Sequence, residues 1–197
     1  MQATNMCKNI LIIQGHPDSR SAHLGHALAR AYAEGALVAG HHVEIIDVAT
    51  LDFPLLRRPS DWEREAAPPS ISDAQGAISR AEHIVFFYPL WMGSMPALLK
   101  GFLEQTFRPG FGAPGKGVAR KSLAGRSARI VVTMGMPALV YRWYFFAHSL
   151  RTFKRNILAL VGIAPVRETV IGNVQKLDQW ARTRRIHELR RLGAAAV

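Results

Sequence analysis

The stretch HIVFFYPLWMGSMPALLKGFLEQTFR, residues 83–108, decides the fold. Ile84 to Tyr88 is a run of bulky β-forming side chains too short for a helix, so it reads as a strand buried on both faces of a parallel sheet. Pro89 cannot donate to a strand ladder, and Pro89-Leu90-Trp91-Met92-Gly93 carries an indole and a thioether out just where the strand should stop. From Ser94 the period turns helical: Met95, Leu98, Leu99, Phe102, Leu103 and Phe107 recur at helical spacing, with Ser94 as the expected N-cap and Pro96 in the first turn. In an open α/β sheet, ligands sit beyond the carboxyl ends of the strands, so this tip is the expected seat of a flat apolar ligand. The competing reading is an ordinary corner whose Trp91 plugs the core.

The rest of the chain repeats the theme. Asn9 to Ile13 is another continuous apolar run, ending at the polar turn Gln14-Gly15-His16-Pro17-Asp18-Ser19-Arg20-Ser21. Leu24, Leu28, Ala31 and Tyr32 then mark a helix to about Ala39, closed by Gly40. Val43 to Val48 resumes the strand pattern and completes a β-α-β unit, the signature of a parallel sheet with right-handed crossovers. Residues 51–72, with four prolines, read as a long surface connection tethered by Phe53 and Trp62. A helix over 72–80 leads into the opening strand. Beyond the central helix, 108–124 reads as a Gly-rich basic loop. Strands over 128–133 and 166–171 flank a helix over 146–161 that Gly162 closes, and a last helix over 176–192 has Leu177, Trp180, Ile186 and Leu189 as its expected core face.

Five strands alternating with helices argue for a doubly wound α/β fold, for which the flavodoxin-like order 2-1-3-4-5 is the natural choice. The tips at His16 and Pro89 would then meet at the switch point between strands one and three. The 197 residues, 49% hydrophobic, are expected to form one domain over 1–197. Cys7 is the only cysteine, which excludes an internal disulfide; at the start of the first strand a buried or inert thiol is expected, in keeping with a reducing cytoplasm. No secretory leader or bilayer-spanning run is read: the most apolar later stretch, 141–163, is broken by Arg142, Arg151, Lys154 and Arg155. The 25 Lys and Arg against 14 Asp and Glu give +11, a field that attracts phosphorylated small molecules, acidic membranes or nucleic acid. The runs near Arg182–Arg185 and Arg190–Arg191 read as solvated helix faces, and no nucleic-acid partner is expected.

Three tips could carry chemistry. The helix start after strand one offers free N–H groups and a partial positive charge to a phosphate, with Ser19, Ser21 and His23 as added donors and Arg20 as a charge. Thr133-Met134-Gly135-Met136-Pro137 follows strand four, where Gly135 lets backbone approach a ligand and a neighbouring N–H could stabilise developing negative charge. Gly110 to Gly117 nearly spells a phosphate-binding loop, but Gly117 stands where a Mg²⁺-binding Ser or Thr is needed and the segment follows a helix, which excludes nucleotide hydrolysis. No catalytic triad, metal cluster or paired-carboxylate motif is present.

The words Tyr88-Pro89-Leu90-Trp91-Met92-Gly93-Ser94-Met95-Pro96-Ala97 and Leu98-Leu99-Lys100-Gly101 resemble a segment of the flavodoxin-like NAD(P)H:quinone reductases. The resemblance extends from Asn9 to about Asn173. It implies that Pro89, Leu90, Trp91 and Met92 edge the ring of a tightly bound FMN or FAD. Its Gly-His-Pro opening implies that His16, Ser21, His23 and Leu24 face the flavin phosphate, although Ser21-Ala22-His23-Leu24 stands where the family often has Ser-Phe-Asn. Thr133, Met134, Gly135 and Met136 correspond to the family's Thr-Thr-Gly-Gly, with both methionines as substitutions. Tyr141 and His148 lie at the spacing of a tyrosine and a histidine that flank ring and substrate, and would be the catalytic pair; packing or a dimer contact is the competing role for the aromatic stretch 141–146.

The implied activity is hydride transfer from NAD(P)H through the flavin to a quinone or similar small oxidant, with ping-pong kinetics. The implied assembly is a cytoplasmic homodimer in which loop 108–124 reaches the partner's site; Ala113 and Pro114 replace tyrosines of the larger relatives there. The alternative is a flavin-bound regulatory subunit docked on a membrane transporter, as some relatives are.

Overall fold

The five apolar runs form one parallel sheet in the order β2-β1-β3-β4-β5, the flavodoxin-like arrangement, with helices on both faces. The structure is a computed structural model that describes residues 7–63, 66–109, 111 and 122–197. The strands are β1 (Asn9–Gln14), β2 (His42–Asp47), β3 (His83–Pro89), β4 (Ser127–Thr133) and β5 (Val166–Ile171). β1 lies between β2 and β3, so that Ile12 is opposite both Ile45 and Val85, and Phe87 is opposite Val131 on β4.

Alternate side chains of each central strand feed two cores. Leu11, Ile13, Ile84, Phe86, Ile130 and Val132 face α3 (Pro69–Arg80), α4 (Ala97–Thr106) and α6 (His148–Thr152). Ile10, Ile12, Val85, Phe87 and Val131 face α1 (Leu24–Val38) and α7 (Gln179–Ala194). Both faces being covered is why these runs are continuously apolar. The pair α1 and α7 packs backbone to backbone: a Cβ on Gly35 would sit on the carbonyl of Arg190, and one on Gly193 on the carbonyl of Tyr32.

Several boundaries differ from expectation for local reasons. Ser94 does not cap α4, because its N–H and C=O both pair with Trp91; the helix starts at Ala97, with Pro96 in the cap position. The connection 51–72 holds a short helix α2 (Pro59–Glu63), and α3 begins at Pro69 with proline in its first turn. Phe53 packs edge-on against Phe102, ring centroids 6.2 Å apart, while the Trp62 side chain lies outside the described residues.

The expected single helix over 146–161 is broken. α5 (Ala138–Trp143) comes first, Phe146 and Ala147 then take left-handed φ values of 50° and 48°, and α6 runs on into a π-helical segment Phe153–Leu158. Trp180 is 69% exposed instead of buried. α7 starts only at Gln179, so Leu177 lies outside the helix and its phase does not carry to Trp180, which stacks under Arg184 instead. Leu189 is fully buried as expected. Cys7, expected to be buried or inert, is exposed, because it precedes the sheet.

One buried group sets a pH response. His83, 1% exposed, opens β3 with Nδ1 2.8 Å from Ser127 Oγ and Nε2 without a partner among the described residues. Burial first, then the charges of Lys8, Arg129, Arg167 and His41, push its pKa down to about 3. The unfolded chain binds this proton near pH 6.5 and the folded chain does not, so stability is complete above that pH and falls as the pH drops toward 3. The loss should reach a few kcal/mol, of order 1.4 per unit of pH. Urea midpoints from pH 7 to 4 check this, and His83→Leu should flatten the slope.

Candidate active site

Three strand ends gather at the carboxyl edge of the sheet. At the first, β1 ends in Gln14 and the chain turns through His16 to α1. Gln14 Oε1 accepts from the His16 N–H at 3.1 Å, and His16 Nδ1 lies 3.1 Å from both the N–H and the carbonyl oxygen of Asp18, which fix the ring in place. The imidazoles of His16 and His23 stack at 3.9 Å, and His26 meets both at 5.3 and 5.6 Å. Burial, followed by the neighbouring His23 and His26, lowers the His16 pKa and keeps the ring neutral.

Asp18 is the anion of this turn. It accepts from His23 Nε2 at 2.9 Å and from the N–H groups of Arg20 and Ser21 at 2.9 and 3.3 Å. The bond from His23 above all, then those from Ser21 and Arg20, holds its carboxyl well below the usual carboxylate range. Beyond that turn, α1 begins with no side-chain cap at His23 and no acidic residue in its first turn. Its first N–H groups are therefore open to an anion. Two buried side-chain nitrogens lack a hydrogen-bond partner among the described residues: Gln14 Nε2 and His26 Nε2. Both residues line a cleft of about 370 Å³ shared with Ser19, Arg20, Ser21 and Arg30. Buried polar atoms are nearly always satisfied, so this pair of orphans marks a place where a polar ligand or water belongs.

The second tip is a tight turn. Trp91 and Ser94 exchange two backbone hydrogen bonds of 2.9 Å, with Met92 (φ 47°) and Gly93 (φ 78°) both left-handed between them. That is the geometry of a type I′ turn, unusual for a methionine. It thrusts Met92 fully into solvent and leaves the Trp91 indole half exposed. The indole stands edge-on to His16, centroids 5.9 Å apart, so the first two tips share one wall.

The third tip follows β4. The Leu90 N–H donates to Thr133 O at 2.7 Å, tying it to the second tip. Behind it, β5 presses close: Asn173 and Val174 N–H groups donate to Met136 and Met134 carbonyls at 3.0 and 3.1 Å, and Gly172 leaves no room for a Cβ against Met136 and Ala138. The N–H groups of Gly135 and Met136 have no partner among the described residues. A Cβ on Gly135 would meet nothing nearer than Gln175 Oε1 at 3.5 Å. This tip can therefore present two amide donors to a ligand at close range.

The sequence matches the family of the flavodoxin-like fold over residues 8–192. The chain belongs to that family. Among curated proteins it is 29% identical over 154 residues to a ribosyldihydronicotinamide dehydrogenase-like protein of Penicillium crustosum, covering 64% of this chain and 57% of that protein. It is 27% identical over 179 residues to an uncharacterized NAD(P)H oxidoreductase of Haemophilus influenzae, covering 88% of each. A shorter match, 39% over 72 residues, joins 36% of this chain to 38% of the potassium-efflux ancillary protein KefG of Cronobacter sakazakii. The chain thus spans little more than half of the Penicillium relative. Among solved structures, the NAD(P)H:quinone oxidoreductase of Methanothermobacter marburgensis superposes with a TM-score of 0.80 at 23% identity over 96% of both chains. An FMN-dependent NADH-azoreductase of Bacillus anthracis gives 0.70 at 16%, covering 95% of this chain and 97% of the other. These two likenesses show the shared fold.

Within this flavodoxin-like frame, His16, Ser21, His23 and Leu24 lie on the first tip, Pro89 to Met92 on the second and Thr133 to Met136 on the third, all at one sheet edge. His16, Thr133 and Met134 are buried and Leu24 is partly so. Met134 packs in the core, and the Leu24 side chain rests on the second core, so both offer backbone alone. Tyr141 is 2% exposed, its hydroxyl 2.8 Å from Ser149 Oγ and accepting from the Leu150 N–H at 3.2 Å. His148 is exposed at the start of α6, edge-on to Phe146. Loop residues Ala113 and Pro114, and the segment 112–117 of the near phosphate-loop motif, lie outside the described residues. Gln14, His26 and Gln175 were not singled out in the sequence; the one available signal was a polar glutamine closing the apolar run of the first strand.

Proposed function

We propose that this chain is a flavin-dependent oxidoreductase that passes hydride from NAD(P)H to a quinone or similar small oxidant. The observation that carries the reading is the meeting of His16 and Trp91, 5.9 Å apart, at the switch point between β1 and β3, beside an uncapped helix start. The orphaned Gln14 and His26 nitrogens and the bare Gly135 are what an FMN or FAD would satisfy. Such a flavin, when bound, supplies the two-electron chemistry between a nicotinamide and a quinone.

The protein's part is to bind and orient. The open N–H groups from His23 to Gly25 and the Ser21 hydroxyl would hold the flavin's phosphate, and Pro89, Leu90, Trp91 and Met92 would edge its ring. The unpartnered Gly135 and Met136 N–H groups would donate hydrogen bonds to its polar edge. His148, exposed, would give a proton to the oxidant. Tyr141 acts as a positioning residue: its engaged hydroxyl locks the corner between α5 and α6 that carries His148. On this reading the chain works as a cytoplasmic homodimer.

The purified protein should be yellow, and heat should release FMN or FAD identifiable by chromatography. It should oxidise NAD(P)H in the presence of a simple benzoquinone with parallel double-reciprocal lines. A colourless protein that takes up neither flavin sinks the proposal. The KefG likeness, the highest in identity of those above, favours a second reading: a flavin-bound regulatory subunit of a transporter. Yellow protein with negligible benzoquinone turnover would select it.

A further inference from the structure

The broken corner after β4, besides carrying His148, exposes an apolar face for which the redox reading gives no role. Leu139, Val140, Trp143, Tyr144, Phe145 and Phe146 are all exposed, Trp143 and Tyr144 by 77% and 75%. Contiguous exposed apolar surface of this kind marks an interaction site. The knob is also held rigid. Two consecutive left-handed residues, Phe146 and Ala147, are uncommon outside glycine and persist only when their surroundings fix them. Here the Ala147 N–H donates to Tyr141 O at 3.0 Å, and the buried Tyr141 hydroxyl ties in Ser149 and Leu150.

The collar of the knob is cationic. Arg142, Arg151, Lys154 and Arg155 line one groove with a single acid, Glu168, which pairs with Arg142 at 3.4 Å and Lys154 at 3.0 Å. Arg151 and Arg155 are exposed and meet no carboxylate among the described residues. We propose that this knob and collar dock the protein on an anionic lipid bilayer, the aromatic rings entering the headgroup layer and the arginines meeting lipid phosphates. Trp and Tyr favour that layer, and each nearby Lys or Arg strengthens attachment to anionic lipid. The charge argues against a second copy as the occupant, since a face with three net positive charges on a +11 chain repels its like.

α5 starts two residues after Met136, so the knob grows from the third tip itself. Docking would therefore bring the mouth of the site to the bilayer surface. If the function proposed above holds, on which this extension rests, the preferred oxidant is a lipid-soluble quinone with an isoprenoid tail.

The test uses the full chain and sedimenting vesicles of phosphatidylcholine alone or mixed about 3:1 with phosphatidylglycerol. Binding is expected to the anionic vesicles only, to weaken on raising salt, and to shift tryptophan emission to the blue. Trp143→Ala/Tyr144→Ala and Arg151→Glu/Arg155→Glu should each lower partitioning at least tenfold, roughly the weight of two lipid-facing cations, while benzoquinone turnover in solution stays unchanged. The salt and lipid dependence of the unmodified protein keeps the test decisive should a variant misfold. Absence of binding, equal binding to neutral vesicles, or conversion of a dimer to a monomer by Trp143→Glu overturns the proposal. A colourless protein that still sediments would defeat the redox reading and leave docking intact; a yellow, active protein that stays in solution would do the reverse.

Discussion

Gly35→Val is expected to be strongly destabilising, because it drives a side chain between the helices α1 and α7. A Cβ at position 35 falls on the backbone carbonyl of Arg190, and backbone cannot swing aside as a side-chain end can. α1 and α7 would have to part, opening the contact of Leu28, Tyr32 and Ala36 with Leu189. Overpacking of a tight contact costs roughly 1–3 kcal/mol and occasionally more, and with no soft atom to yield the upper end or beyond, about 3 kcal/mol, is expected here. For a chain of this size that lowers the melting temperature by about 10 °C. Thermal unfolding by circular dichroism measures it. Gly25→Ala on the same helix is the control, because a Cβ there meets nothing within 4 Å. Equal effects at both positions would show that helix separation is not the cause.

Gly135→Val should do the opposite: spare the fold and cripple the site. The nearest atom to a Cβ at this position, Gln175 Oε1, is at an ordinary contact distance of 3.5 Å, so the melting temperature should move by little. The valine methyls would occupy the approach to the Gly135 and Met136 N–H groups. Forcing a ligand against them costs roughly 1–3 kcal/mol, about a 5- to 150-fold loss of flavin affinity. Titration of deflavinated protein with FMN and FAD, alongside a melt, reads both quantities. Unchanged flavin affinity would remove the third tip from the site; a large fall in melting temperature would make the change structural.

How much of this was legible beforehand follows from what each residue is pressed against. Runs such as Ile84 to Tyr88 need both sheet faces covered, and that requirement alone points to a parallel sheet. Helix phase was less secure. Trp180 reads as core only if the helix includes Leu177, and the chain instead leaves a 3-10 turn at that residue before α7 begins. Ser94 has the chemistry of a cap, but the turn at Met92 and Gly93 claims both its backbone groups. The aromatic stretch from Tyr141 to Phe146 has the composition of a core and mostly is not one; only Tyr141 is buried. Composition reports what a segment would gain by burial, and a segment that docks elsewhere carries the same mark. The orphaned nitrogens of Gln14 and His26 could not be read at all, since an unmet hydrogen bond is a property of the packed interior.

The placement of β1 between β2 and β3 also bears on how the chain reaches its native state. Ile12 must find Ile45 across one helix but Val85 only after two further helices have been made. Loop closure over such a span is entropically slow, and sheets of this connectivity fold more slowly than bundles with local contacts. During synthesis the first strand therefore emerges long before its second neighbour exists, with one hydrogen-bonding edge bare. That interval is when the nascent protein is most exposed to aggregation and most in need of a chaperone.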